Sequence, residues 1–150
     1  MNEIYDMLSL KSDPQTLAKG IGLAKQVENL HLLIQPPAPP AVWERCADIL
    51  SQKSDEALEP YIYELLEWLQ DLNHPGALTI VERLKAFSRE KLAEAFVDAV
   101  HSADNLDKVQ GSRWMLALSE LLDNAVLKEH LQQDIVDKLT ECRHKCGRED

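Results

Sequence analysis

The sequence predicts an all-α protein whose antiparallel helical hairpins stack either as a short open solenoid or as a compact helical bundle. Three observations predict this class. Apolar residues recur every three or four positions through most of the 150 residues. No segment shows the strict alternation that is typical of a strand. Cap residues and prolines divide the chain into helices of roughly 10 to 20 residues. The length is that of one domain with a continuous core.

The N-terminal part of the chain predicts two helices followed by a rigid connector. "NEIYDMLSL" predicts the first helix, and Asp13 with Pro14 supplies a cap and a first-turn proline for the second. "IQPPAPPAV" then brings together four prolines, which favour an extended conformation. We divide the single domain, residues 1–150, into N-terminal helices (1–35), a proline-rich loop (36–40), helical-hairpin repeats (41–141) and a C-terminal tail (142–150).

The middle of the chain predicts two strongly amphipathic helices that meet at a break. Ser54 caps the segment before them, and Pro60 restarts the chain. The first helix carries an apolar stripe at helical spacing, made of Ile62, Leu65, Leu66, Leu69 and Leu72. Asn73 is predicted to end it in a left-handed conformation, and Pro75 to open the second helix. That helix points inward with Ala77, Ile80, Val81, Leu84 and Phe87. The pair is predicted to form a tight antiparallel hairpin.

The C-terminal half continues the pattern. Ser88 is predicted to cap the next helix, and Gly111 to separate a short turn from the helix after that. A last helix runs through Leu139, and "CGRED" is predicted to fray as a tail. Helix pairs repeat at intervals of roughly 35 to 45 residues, which favours hairpin repeats of the HEAT kind.

Charge and composition disfavour some classes of function. The chain has 26 acidic and 16 basic side chains, a net charge of −10. Direct nucleic-acid binding is disfavoured because there is no basic excess to displace counterions. An acidic chain favours plain solubility or a basic partner. The N-terminus does not read as a secretory signal, no apolar run is long enough to span a membrane, and three cysteines are too few for a disulfide framework. We therefore expect a cytoplasmic protein without membrane contact.

No motif in the sequence predicts a reaction. None of the five histidines has the spacing of a zinc protease. Cys142, His144 and Cys146 in "CRHKC" place three metal-ligand types close together, but the usual two-residue cysteine spacing is missing, so we predict a tail there. We expect no enzyme, and no catalytic, cofactor-binding or metal-binding residue.

A longer segment resembles a known family. "LLEWLQDLNHPGA", from Leu65 to Ala77, is similar to the motif LLEWLQDxNWPxA of a bacterial family of uncharacterised HEAT-like helical domains, and the likeness extends loosely over 42–122. His74 stands where that family usually has tryptophan, a place that Trp68 or Trp114 would then fill. Similar small proteins are encoded beside polymorphic toxins, where helical-repeat domains act as immunity proteins. The resemblance implies that function.

We therefore expect a cytoplasmic immunity protein that binds and occludes a basic bacterial toxin domain, of the kind that cleaves nucleic acid. A helical scaffold with another protein partner is the alternative, and an enzyme whose site forms only in three dimensions is the third hypothesis. A strip of carboxylates is expected to face solvent and to attract the partner. The predicted partner-binding residues are Glu56, Glu59, Glu64, Glu67, Asp71 and His74.

Overall fold

The fold is all-α, as the sequence predicts. The computed structural model describes residues 1–9 and 11–147, and every regular element in that part of the chain is a helix. The α-helices, in chain order, are α1 (Asn2–Met7), α2 (Pro14–Lys25), α3 (Pro40–Ser51), α4 (Asp55–Leu58), α5 (Ile62–Trp68), α6 (Ala77–Lys85), α7 (Lys91–Asp104), α8 (Lys108–Glu120), α9 (Ala125–Glu129) and α10 (Gln133–Gly147). Short 3₁₀ turns lie at Leu30–Leu33, Glu59–Tyr61 and Leu121–Asp123.

No helix in the described ranges is both long enough and apolar enough to cross a bilayer.

Local cap signals placed several helix starts correctly. The Asp13 carboxylate accepts a hydrogen bond from the Thr16 amide at 2.8 Å, and Pro14 is the first residue of α2. The Ser54 hydroxyl accepts from the Ala57 amide at 3.1 Å and caps α4. These starts are local because the cap and the amide it satisfies are three residues apart.

The predicted end of α5 was wrong. The helix ends at Trp68, and the residue in the left-handed conformation is Gly76 rather than Asn73. The cause is a contact outside the helix. The buried Trp68 indole donates a hydrogen bond to the Pro75 carbonyl at 2.9 Å, and this bond holds the loop over the indole. At Gly76, with φ of 81°, a Cβ atom would lie 2.8 Å from Ala47 Cβ. Glycine is therefore required there by both conformation and space.

Two further predictions about helix starts were wrong. Ser88 does not cap α7; its amide and hydroxyl both donate to Asp55, at 3.0 and 2.9 Å. Gly111 lies inside α8 instead of before it. It is buried, and a Cβ there would lie 2.5 Å from the Ala103 carbonyl oxygen, so the end of α7 rests directly on α8. In both cases a contact with another segment outweighed the local signal, 33 residues away for Ser88 and in the preceding helix for Gly111.

The predicted C-terminal tail is helical in its first part. α10 runs to Gly147, so residues 142–147 continue the last helix. The rest of the predicted tail, residues 148–150, lies outside the described residues.

Apart from the consecutive pairs α1–α2 and α7–α8, the main helix contacts join helices that are not neighbours in the chain. α5 packs mainly against α7, and α6 mainly against α3, while α5 and α6 touch much less. The tight α5–α6 hairpin predicted from the sequence is therefore not the main packing unit. The buried core that joins these helices includes the predicted stripe residues Ile62, Leu65, Leu66 and Leu69, whereas Leu72 is only partly buried.

The paired helices run in the same direction. At the start of α5 and α7, Arg89 pairs with Glu59, and further along the Tyr63 hydroxyl lies 2.9 Å from the Ser102 hydroxyl. Along α3 and α6, Gly76 lies against Ala47 at one end, and Arg83 donates to the Lys53 carbonyl at 3.0 Å at the other. Parallel pairing of alternate helices is the arrangement that stacked helical hairpins produce.

The N-terminal segment joins the core through buried apolar side chains, among them Leu8 and Leu33, and is also attached through hydrogen bonds to its backbone carbonyls. Arg45 Nε donates to the Leu8 carbonyl at 3.0 Å, and Trp43 Nε1 donates to the Pro36 carbonyl at 2.6 Å. Just after α3, Lys53 Nζ donates to the Lys25 carbonyl at 2.7 Å. The segment thus covers one side of α3, whose residues Val42, Cys46 and Leu50 are buried.

Asp55 is a second tie between distant segments. Its carboxylate accepts from Arg83 Nη2 at 2.5 Å as well as from Ser88, and both Asp55 and Arg83 are largely shielded from solvent. Burial alone would raise the pKa of Asp55, but the hydrogen bonds from Arg83 and Ser88 outweigh it and lower the pKa. The ionised carboxylate therefore stabilises the contact of α4 with the α6–α7 connection.

The two glycines Gly76 and Gly22 should respond oppositely to alanine. Gly76→Ala should lower the free energy of unfolding by more than about 1–2 kcal/mol, because alanine is strained in the left-handed conformation and the new methyl group meets Ala47. Gly22→Ala should raise it by about 0.5–1 kcal/mol, since no atom lies within 4 Å of the new Cβ and alanine favours a helix. Urea denaturation measures both. Stabilisation by Gly76→Ala would contradict the loop geometry.

Asp55→Asn should destabilise the protein in a pH-dependent way. The folded-state pKa is depressed, so the ionised group contributes stability above its unfolded pKa of about 3.9, and that contribution is lost as pH falls through the lower folded pKa. At pH 7 the expected loss is about 1–3 kcal/mol, the range for hydrogen bonds to charged groups. Urea denaturation across a pH series should show the difference shrinking below about pH 4. The exposed neighbour Glu56→Gln is the control, and an equal loss there would refute this role of Asp55.

Candidate acidic binding face

Two of the predicted partner-binding residues, Asp71 and His74, belong to the loop that closes over Trp68. The Asp71 carboxylate accepts from the Asn73 amide at 2.9 Å. His74 Nδ1 lies 3.4 Å from the Trp68 carbonyl oxygen, and its ring meets the ring of Trp43 edge-on at 5.7 Å. The position where the resembled family usually has tryptophan is thus filled by His74 itself. Asp71 and His74 hold the loop in its conformation more than they present a surface to a partner.

Trp68 and Trp114 occupy other positions in the core and do not take the place of His74. Trp68 meets Trp43 edge-on at 5.9 Å, and the Trp114 indole donates to the Leu66 carbonyl at 2.9 Å. This hydrogen bond therefore links α8 to the backbone of α5.

Glu64 and Glu67 lie on the outward side of α5, but both are partly buried rather than fully solvent-facing as predicted. The Glu64 carboxylate lies 2.6 Å from Nδ1 of His31, which the Leu30–Leu33 turn places over it. Burial raises the pKa of Glu67, and the negative charge of Glu64 one turn away raises it further. The two carboxylates therefore repel each other in a partly desolvated setting.

Glu59 and Glu56 occupy different surroundings. Glu59 pairs with Arg89 near the start of α5 and α7. Glu56 is exposed and lines a separate groove with Lys25 and Lys53. The structure thus divides the predicted strip of carboxylates. Asp71 lies in the loop, Glu59, Glu64 and Glu67 lie on or next to α5, and Glu56 lies in a separate groove.

The residues that α7 adds beside α5 were not predicted from the sequence. A groove of about 240 Å³ between the two helices is lined by Glu59 and Tyr63 from one side and by Lys91, Glu94 and Asp98 from the other. Glu94 and Asp98 are exposed and four residues apart, so they project from one face of α7. Glu67 follows Tyr63 by four residues and lies on the same side of α5. The α7 spacing was visible in the sequence, but its position beside α5 was not.

We call this groove, taken together with the outward side of α5, the acidic face and define it by its carboxylates: Glu59, Glu64, Glu67, Glu94 and Asp98. Its cations are Arg89, on Glu59, and Lys91, which lies 3.2 Å from Glu94. The five carboxylates outnumber these two cations, and they still do so when His31 is counted as a third. The face therefore combines a groove, an aromatic side chain and an excess of negative charge.

Cysteine and histidine side chains do not gather into a site in the described chain. Within the described residues, no three histidine, cysteine or acidic residues are placed to hold a metal ion. Burial raises the pKa of the Cys46 thiol to about 12, so this thiol stays protonated and unreactive at neutral pH. Cys142 is partly buried and His144 is exposed on α10, and the side chain of Cys146 lies outside the described residues.

Comparison with known proteins gives a family match. The model of the family described as a domain of unknown function (DUF5071) matches residues 44–146, which include α5, α7 and all carboxylates of the acidic face. His31 and the N-terminal helices precede the matched region. No curated protein and no solved structure matches the chain.

Glu67→Gln should stabilise the protein at neutral pH. The folded-state pKa of Glu67 is raised, so its ionisation opposes folding as pH rises above the unfolded pKa of about 4.3. Removing the charge also removes the repulsion from Glu64, worth up to about 0.5 kcal/mol. Thermal melts from pH 4 to 7 should show the advantage of the variant growing with pH. The exposed Glu28→Gln should show no such trend, and a less stable Glu67→Gln at pH 7 would contradict the proposed repulsion.

Proposed function

This chain belongs to the DUF5071 family of domains of unknown function, and we propose that it binds and occludes a basic protein domain in the manner of a toxin-immunity protein. The observation that carries the proposal is the acidic face across the parallel helices α5 and α7. Inhibition would be by occupancy, with no bond made or broken. The cytoplasm is the compartment that this proposal requires.

Electrostatic complementarity supports a cationic partner. A domain that cleaves nucleic acid needs a positive surface to hold phosphates. A carboxylate-rich face meets such a surface and also steers its approach, raising association rates by roughly 10- to 1,000-fold. The net charge of −10 adds a favourable long-range field. A nuclease-type toxin domain is therefore the partner class that we propose.

The unfavourable charges on α5 also support a binding role. Glu67 is partly buried beside Glu64, and its raised pKa reflects a cost to the folded state. A partner that brings guanidinium or ammonium groups to this face would relieve that cost on binding. The chain would thereby exchange some stability in the free state for affinity in the complex.

A scaffold that binds another protein through apolar contacts is the second candidate. Leu78 on α6 and Val109 on α8 are 64 % and 61 % exposed, which is high for large aliphatic side chains. They favour a partner that buries apolar surface, and such an interface would depend little on salt.

Charge reversal on the acidic face should separate the two candidates. The triple variant Glu64→Lys, Glu67→Lys, Asp98→Lys should associate at least about tenfold more slowly with a cognate basic toxin domain, since the steering changes sign. Association of the wild type should also weaken with rising salt, because exposed charges are screened beyond about 10 Å at 0.1 M. Surface plasmon resonance at two salt concentrations measures both effects. Asp71 is left unchanged because it shapes the loop.

A matched control separates local from global charge. Glu3, Glu28 and Glu129 are exposed and lie outside the acidic face, and their reversal to lysine alters the net charge equally. That variant should bind much more nearly like the wild type. Equal slowing in both variants would assign the effect to net charge alone. Salt-independent binding that neither variant alters would remove the acidic face from the interface and assign binding to an apolar surface.

A further inference from the structure

The C-terminal helix α10 is held to the rest of the fold by few buried side chains. It packs mainly against α8. Within residues 133–144, Val136 and Leu139 are the side chains that become buried, and the outward residues of the helix are mostly charged or polar. By contrast, α7, of similar length, buries Leu92, Ala93, Ala95, Phe96, Ala99, Val100 and Ala103.

Open grooves flank α10 on both sides. One groove, of about 770 Å³, separates it from the end of α7 and from α8, with Leu106 and Met115 on its wall. The other, of about 400 Å³, separates it from the Leu121–Asp123 turn and α9, with Leu122 on its wall. Solvent therefore reaches both long edges of the contact between α10 and α8.

Solvent-accessible ion pairs bridge these grooves. Lys138 pairs with Asp104 at the end of α7. Arg143 lies 3.3 Å from Asp123 and 3.5 Å from Glu120. The paired side chains are between about a third and a half exposed, where such pairs are weak and are screened by salt.

We propose that α10 is a salt-sensitive lid that opens as a unit while α1 to α9 stay folded. Low burial and exposed ties are the features of segments that open locally at small free energy. Opening removes α10 from α8 and uncovers the apolar groove walls that carry Met115 and Leu122. The lid acts at α8, and it needs no partner at the acidic face, so this inference is independent of the proposed function.

Hydrogen exchange of the full-length wild type tests the lid directly. Amides of α10 between 136 and 144 should exchange at least about tenfold faster than those of α7 and α8. Their rates should be almost unchanged by low urea, because local opening exposes little surface, and should rise with sodium chloride. Amides of α10 that follow urea in step with those of α7 would show that the helix leaves only on global unfolding, which would overturn the proposal.

Variants keep the test sharp. Lys138→Gln with Arg143→Gln should speed exchange in α10 by about two- to fivefold per ion pair, and leave α7 amides unchanged. Lys91→Gln is the matched control, because it removes a pair within α7 and should leave α10 unchanged. If the double variant speeds exchange equally in α7 and α10, the ion pairs support the whole fold, and the lid is refuted.

Discussion

Closure of the loop after α5 over Trp68 is the contact on which the rest of the arrangement depends. The indole donates to the Pro75 carbonyl, and the left-handed Gly76 brings the chain against Ala47 of α3. This contact ends α5 early and starts α6 beside α3 instead of beside α5. The chain then returns so that α7 runs along α5. The parallel pairing of alternate helices follows from that single turn.

The same pairing determines where the negative charge collects. Because α5 is packed on most sides, its outward strip is narrow, and Glu64 and Glu67 are only partly solvated. Because α7 runs beside it in the same direction, Glu94 and Asp98 add their charges on the neighbouring helix, along a groove that they share with Glu59 and Tyr63. The acidic face is thus a product of the stacking, and neither helix alone would form it. Its cost to stability has this origin, and so has the binding role that we propose for it.

Sequence reasoning succeeded where the physical cause was local. The Asp13 and Ser54 caps act over three residues, and the stripe from Ile62 to Leu69 is set by the helical period. It failed where a partner from far along the chain decided the outcome. Ser88 has the chemistry of a cap, yet its hydroxyl bonds to Asp55, 33 residues away.

The candidate site shows the same division. That Glu64 and Glu67 share one side of a helix was predictable from their spacing, and Glu94 and Asp98 gave an equally clear signal on α7. Residue spacing does not show which helices pack side by side, so the groove between α5 and α7 was not predictable. Likewise, Asp71 and His74 were predicted to be surface residues, but both belong to the loop that closes over Trp68.

The attachment of the N-terminal segment has an evolutionary consequence. Arg45, Trp43 and Lys53 hold this segment through the carbonyls of Leu8, Pro36 and Lys25. Every amino acid offers the same carbonyl, so the exposed Lys25 can be replaced without losing its bond, whereas Leu8 and Pro36 are buried and are held by packing as well. The donors, by contrast, must keep their side chains. Selection therefore falls unevenly on the two sides of such a contact: an exposed acceptor is free to change, while the donor that reaches it is not.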